Sequence, residues 1–289
     1  MLQVVGSVVV FGCVIVGFLL GGGHLLLLWH PTELLIICGA AFGAFLISNP
    51  LKVVKAAFAG AISLPKGPRY KREDYRTLLK LLYEVLQKIR KAGMIGIEAD
   101  IERPQESALF KRYPNILADH HLMEFITDCL RLMAGGNMNP HELESLLEYE
   151  LEAHHRESHE PAHAVQKVAD ALPGFGIVAA VLGIVNTMAS LDGASTATIG
   201  HNVAGALVGT FLGILVAYGL VGPVSSAMEN QATEEGKVFE LVKMALVANV
   251  RGYPPAVAIE FARKLLFADV RPSFVDLESH LKAKAPAVG

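Results

Sequence analysis

Residues 171–191 read ALPGFGIVAAVLGIVNTMASL, 21 consecutive positions without a Lys, Arg, Asp or Glu. A helix that crosses a bilayer needs about 20 mostly apolar residues, and this stretch supplies one such span, Leu172–Leu191. Three more windows qualify. Leu2–Leu20 lies in the charge-free run from Met1 to Thr32. Thr32–Pro50 is interrupted only by Glu33, and Gly200–Ala227 lies in the charge-free run from Gly193 to Met228. Four runs of this length are not what buried helices of a soluble protein look like. The 289-residue chain is 52% hydrophobic and only 18% charged, against about a quarter charged in soluble domains. The first run has no basic leader and no small-residue cleavage pattern, so it reads as a span and not as a cleaved signal.

The basic residues set the orientation. Of the 25 Lys and Arg, 17 lie in residues 51–170 and 8 in residues 229–289, while the connections Gly21–Pro31 and Asp192–Ile199 have none. The positive-inside rule puts both polar segments in the cytoplasm, and with four spans both termini follow. Trp29, in the first outer loop, suits a membrane interface. The expected organisation is a membrane hairpin at 1–50, a cytoplasmic helical domain at 51–170, a second hairpin at 171–228 and a cytoplasmic helical region at 229–289. A net charge of −3 argues against a dedicated nucleic-acid binder. Cys13, Cys38 and Cys129 form no framework and read as reduced thiols.

The polar segments are also helical, which makes the whole chain all-α. Residues 68–92 carry the apolar stripe Leu78, Leu79, Leu82, Leu86 and Ile89, with Lys80, Glu84, Lys88 and Lys91 largely outside it. Gly93 is the expected stop. Leu122–Met133 repeats the period up to Gly135-Gly136. Asn139-Pro140 then starts another helix, with an N-cap, Pro at N1 and Glu142 at N3, running to about His155. Short helices are expected at 256–266 and 273–284, each after a proline break.

Spans three and four hold the small-residue series Gly176, Ala180, Gly183, Thr187 and Gly205, Gly209, Gly213, Ala217, spacings that permit close helix approach. Ordinary helix packing and a pore or partner groove both fit this pattern. The same spans carry Asn186, Ser190, His201, Asn202, Thr210 and Tyr218. Cation pathways usually use a membrane-embedded carboxylate or His. Here Glu33 stands at the outer end of span two, Asp192 falls in an outer loop, and no carboxylate is expected near mid-depth. If the chain conducts protons, a second chain must supply the titrating group, and Thr210 and Tyr218 are candidates to line its route. Pro173 opens span three, as an N1 proline or a kink. Pro223 lies near the inner end of span four, where the helix pattern continues through it.

Several blocks in order are specific: MIGIEADIERPQES at 94–107, YPNILAD at 113–119, LPGFGIVAAVLGIV at 172–185, VGTFLGILVAYG at 208–219 and GYPPAVAIEF at 252–261. Together they resemble the MotA/PomA family, the A subunit of the bacterial flagellar stator, over nearly the whole chain. The resemblance implies an ion channel of the inner membrane, formed with a MotB-type subunit whose single membrane helix carries the essential aspartate. It implies a ring of A subunits, pentameric, that acts on the rotor protein FliG. It implies rotor contacts at Arg90 and Glu98, functional prolines at Pro173 and Pro223, and Thr210 near the partner's aspartate. Sodium-driven members have a further threonine in span three where this chain has Ala180, so the resemblance is to the proton-driven type. Neither enzymatic activity, nor a cofactor, nor a metal is implied. The rival within reach is the related ExbB/TolQ type, which energises outer-membrane processes but typically has three spans and an outside N-terminus.

Other patterns are set aside. His159-Glu-Pro-Ala-His163 matches the letter of a zinc-hydrolase motif, and His155 extends it. Yet Pro161 is poorly tolerated inside a helix, and no third ligand follows at the usual spacing. His120-His121 and the Gly21-Gly22-Gly23 turn read as surface features.

Overall fold

The computed structural model describes residues 2–136, 138–189 and 195–282. No strand occurs among them, as an all-α reading requires. The helices are α1 Leu2–Leu20, α2 Pro31–Ser48, α3 Leu51–Ser63, α4 Arg72–Ala92, α5 Ile95–Glu102 and α6 Pro114–Leu117. They continue with α7 His120–Ala134, α8 Pro140–Ala189, α9 Thr196–Val216, α10 Gly222–Val250, α11 Pro255–Lys264 and α12 Phe274–Lys282. A π-helical turn, Ala217–Val221, joins α9 to α10. Four helices are long and apolar enough to cross a membrane.

Spans one and two emerge as α1 and α2. Pro31 takes the first turn of α2, and Asn49, forced out of helical geometry by Pro50, ends it. Spans three and four are not separate elements. Residues read as a polar helix, a polar connection and span three form one unbroken 50-residue helix, α8, roughly 75 Å long at 1.5 Å per residue. It runs through Pro161. A proline there removes one backbone bond, and buried Ala162 and Ala164 just after it pack the segment down. Asp192, Ser190 and the end of span three at Leu191 lie outside the described residues.

The chain divides into two compact units, one of residues 1–67 and 157–232, the other of 68–156 and 233–289. The first unit thus holds α3 and the 157–170 stretch of α8 together with the apolar helices. In the first unit α3 tucks Val53, Val54 and Ala57 against Phe45 and Ala164.

The second unit is built on α4. Leu78, Leu79, Leu82 and Leu86 are buried against Ile97, Ile101, Phe110, Ile126, Leu130, Leu241, Leu246 and Ile259, and Ile89 packs partly buried at the edge. Each such side chain contributes about 1.5–3 kcal/mol on burial. The charged side of α4 is less open than the stripe suggests. Lys80 is only 4% exposed, the Arg112 guanidinium meets Glu84 at 2.8 Å, and Lys88 donates to Asp100 at 2.5 Å. Neighbouring elements close over α4 on more than one side, which a single helical period cannot reveal.

The expected punctuation is present. Gly93 (φ +69°) ends α4 with its N–H on the Ile89 carbonyl. Asn139 caps α8, its Oδ1 accepting from the His141 and Glu142 N–H groups at 3.0 Å, while Glu142 accepts from the Asn139 N–H at 2.9 Å. Asp119 caps α7 through the Leu122 N–H. It also accepts from the Tyr70 hydroxyl at 2.6 Å and Arg69 at 2.8 Å. Burial first, and then this bond, hold the Tyr70 phenol above its ordinary pKa.

Candidate functional site

In the first unit, α8 and α9 run antiparallel along a glycine seam. A Cβ on Gly176 would sit 3.1 Å from the Gly209 carbonyl oxygen and 3.3 Å from the Cα atoms of Gly213 and Thr210. On Gly213 it would meet the Leu172 carbonyl oxygen at 2.8 Å, and on Gly183 the Ala206 Cβ at 3.0 Å. Backbones this close leave no room for water, so no passage runs between spans three and four within one chain. The two small-residue series make a wall. Ala179, buried, joins the seam where the spacing pointed to Ala180.

Ala180 and Thr210 flank this seam half-buried. Thr187 is fully buried, its hydroxyl donating to the Gly183 carbonyl at 2.8 Å. Thr210, by contrast, makes no side-chain hydrogen bond among the described residues. Tyr218 is 71% exposed on the π-helical turn, away from the seam.

Glu33 is nearer to Thr210 than its place at the start of span two implied. A Cβ on Gly209 would lie 3.4 Å from Glu33 Cγ, and one on Gly205 would lie 2.7 Å from the His30 ring. The first turn of α2 therefore meets the middle of α9. Glu33 accepts from the Thr32 hydroxyl at 2.6 Å and lies 3.7 Å from His30. The His30 ring in turn stands 5.7 Å from that of His201. Local groups engage this carboxylate, and it is the one acidic side chain among the described residues of the four spans.

Neither proline breaks its helix. Pro173 lies inside α8, half-buried, and is no N1 residue. Pro223 is exposed at the start of α10. Its missing N–H and its ring conflict with the carbonyl four residues back, Gly219. The chain answers with the π turn, in which the Gly222 N–H reaches Ala217 O. Such turns cluster at functional positions. Gly219 packs beneath α1, where an added Cβ would lie 3.0 Å from Val10. The Gly219–Gly222–Pro223 run was the available signal for this turn.

In the second unit Arg90 lies in the last turn of α4 and Glu98 in the first turn of α5. Both are exposed, and neither has an ion-pair partner among the described residues. Beneath them, Asp100 is buried between two donors, Lys88 at 2.5 Å and Ser107 Oγ at 2.6 Å. Ser107 Oγ also accepts from the Leu109 and Phe110 N–H groups at 3.1 and 3.2 Å. Here the 94–107 block acquires a physical meaning: through Asp100, Lys88 and Ser107 tie down α5, the helix on which Glu98 is carried. Sequence reasoning passed over both.

The histidine cluster does bring ligands together. His159 and His163 on α8 face Glu229 on α10, with donor atoms all within 4.8 Å of one another. His155 is not part of this group.

Comparison with known proteins covers nearly the whole chain. Residues 4–93 match the family described as Motility protein A N-terminal, and residues 118–241 match the MotA/TolQ/ExbB proton channel family. The chain is 44% identical to Motility protein A of Salmonella typhimurium over 283 residues, covering 98% of this chain and 96% of that one. Identity to Chemotaxis protein LafT of Vibrio parahaemolyticus is 43%, with 97% and 98% covered. The fold is that of C. jejuni MotAB (TM-score 0.73, 21% identity, 94% and 98% covered) and of the flagellar MotAB stator complex from Bacillus subtilis (TM-score 0.70, 22%, 94% and 98%).

Proposed function

The chain belongs to the motility protein A branch of the MotA/TolQ/ExbB proton channel family, and on that footing we propose that it forms the wall of a stator ion path whose acid comes from a MotB-type partner. It is a membrane protein of four spans and a proton-channel subunit of the flagellar stator. The observation that carries the proposed division of labour is the pairing of an unbonded Thr210 hydroxyl with spans whose one acidic group, Glu33, is engaged locally. A partner helix lying on the exposed face beside the seam would bring its carboxylate to Thr210 and Ala180. The match to Motility protein A N-terminal and the α1–α2 hairpin favour the stator over an ExbB/TolQ-type role.

The finer assignments follow the same reading. Copies of the chain assemble as a pentameric ring in the inner membrane, with both termini in the cytoplasm. Pro173 and Pro223, with the π turn between α9 and α10, convert changes at the ion path into movement of the polar helices. Arg90 and Glu98 engage charged residues of the rotor protein FliG. Exposed ion pairs are worth about 0–1 kcal/mol each, weak enough to form and break at each step while steering the encounter.

Ala180, lacking a hydroxyl that could replace water around a sodium ion, points to protons as the coupling ion. The experiment is complementation. Expressed with its partner in a strain lacking an A subunit, the chain restores swimming. Speed at fixed proton-motive force stays unchanged as external sodium is varied. Speed that follows sodium overturns the ion assignment, and no swimming overturns the stator reading.

A further inference from the structure

We propose that His159, His163 and Glu229 form a binding site for a divalent transition-metal ion of the zinc class, joining α8 to α10 in the first unit. Two imidazoles four residues apart project from one helical face, and a carboxylate from the neighbouring helix completes three donors of the kind zinc takes. Their atoms lie within 4.8 Å of one another. Zinc bonds of about 2.0–2.2 Å in tetrahedral geometry bring donors to roughly 3.3 Å. The difference falls within the reach of ordinary rotamer changes, because His163 and Glu229 are exposed, whereas His159, 4% exposed, is the fixed point. Water fills the fourth position.

The helix register at this place is held independently of any metal. Ser225, one turn before Glu229, donates from Oγ to the carbonyl oxygen of Ala162 at 2.8 Å, and Ala162 lies between the two histidines. Met228 packs with Ala162 and Leu64 in the same layer. The site is thus assembled by apolar packing and one interhelical hydrogen bond. This also removes both objections raised by the sequence. Pro161 does not break α8, and the third ligand comes from a different helix, where no motif spacing could show it. The arrangement is a staple between helices; the neighbouring Glu160 is exposed on the outside of α8.

The test uses the full-length chain in lipid nanodiscs, titrated with Zn2+ by calorimetry and with Co2+ by visible absorption. The expected result is one ion per chain, the absorption of low-coordinate Co2+ with nitrogen and oxygen ligands, and a melting temperature that rises with added Zn2+. In His163→Ala and in Glu229→Gln, two exposed positions, affinity falls at least about tenfold, since even the loss of a group hydrogen-bonded to a ligand costs about 10–100-fold. Melting of His163→Ala without metal stays that of the parent. His155→Ala and His120→Ala bind as the parent does. Absence of stoichiometric binding, undiminished binding in His163→Ala and Glu229→Gln, or an equal loss in His155→Ala overturns the proposal.

Discussion

Gly213→Val abolishes swimming and lowers the melting temperature of the chain. The glycine's own Cα already faces the Gly176 backbone, and the first added carbon would stand 2.8 Å from the Leu172 carbonyl oxygen and 3.0 Å from Gly176 Cα. All of these are backbone atoms, so no side chain can swing aside. Helices α8 and α9 must separate by something like an ångström, and the small-residue contacts from Gly176 to Ala206 loosen together. Overpacking of this kind costs about 1–3 kcal/mol. The functional loss is expected to exceed the loss of stability, because the wall's curvature beside Thr210 changes with the seam. Membrane abundance, thermal melting and co-purification of the partner are the measurements, alongside swimming-ring diameter. Gly236→Ala is the contrasting variant. A Cβ there meets nothing within 4 Å, and the residue lies inside α10, so stability rises by about 0.5–1 kcal/mol and swimming persists.

Arg90→Glu combined with Glu98→Lys stops or severely slows swimming while the chain folds, inserts and retains its partner. Both side chains are exposed and unpaired among the described residues, so the fold loses almost nothing; surface substitutions of this kind usually stay within about 0.5 kcal/mol. What changes at the proposed rotor contact is the sign of the charge offered, and like charges facing each other across an interface repel. Reversing the matching charges on the rotor is expected to restore part of the motion. Normal swimming in the double variant would remove these residues from the rotor contact. Loss of partner binding would mean that they act on assembly instead. Asp100→Ala offers a contrast, because it strips the buried partner from Lys88 and Ser107 and acts through stability.

The hydrophobic runs and the capping residues were open to reading because each depends on a few adjacent positions. Leu2–Leu20 and the Asn139-Pro140 start depend on nothing distant. The 50-residue length of α8 was hidden because hydropathy marks where a helix enters lipid, while the backbone needs no break there. Lys80 reads as surface by its period, and its burial depends on other helices closing over α4. The candidate site divided in the same way. Thr210, Ala180 and Glu98 came from matched blocks, and Arg90 from the resemblance as a whole. That Glu33 reaches Gly209, that Ala179 and not Ala180 enters the seam, and that Glu229 meets His159 and His163 are facts of tertiary pairing. The π turn before Pro223 is a local response to a missing N–H, and its cue lay in Gly219, Gly222 and Pro223.

The central claim is that these helices enclose a path but do not themselves supply the acid that carries the proton across it. It is tested by loading liposomes with a pH-sensitive dye, imposing a membrane potential, and measuring proton entry with the purified chain alone and with its co-purified partner freed of any plug. The account predicts flux only when the partner is present, and none when the partner's membrane aspartate is replaced by asparagine. Selective, potential-driven proton flux through the chain alone, at a rate equal to that of the complex, would contradict it.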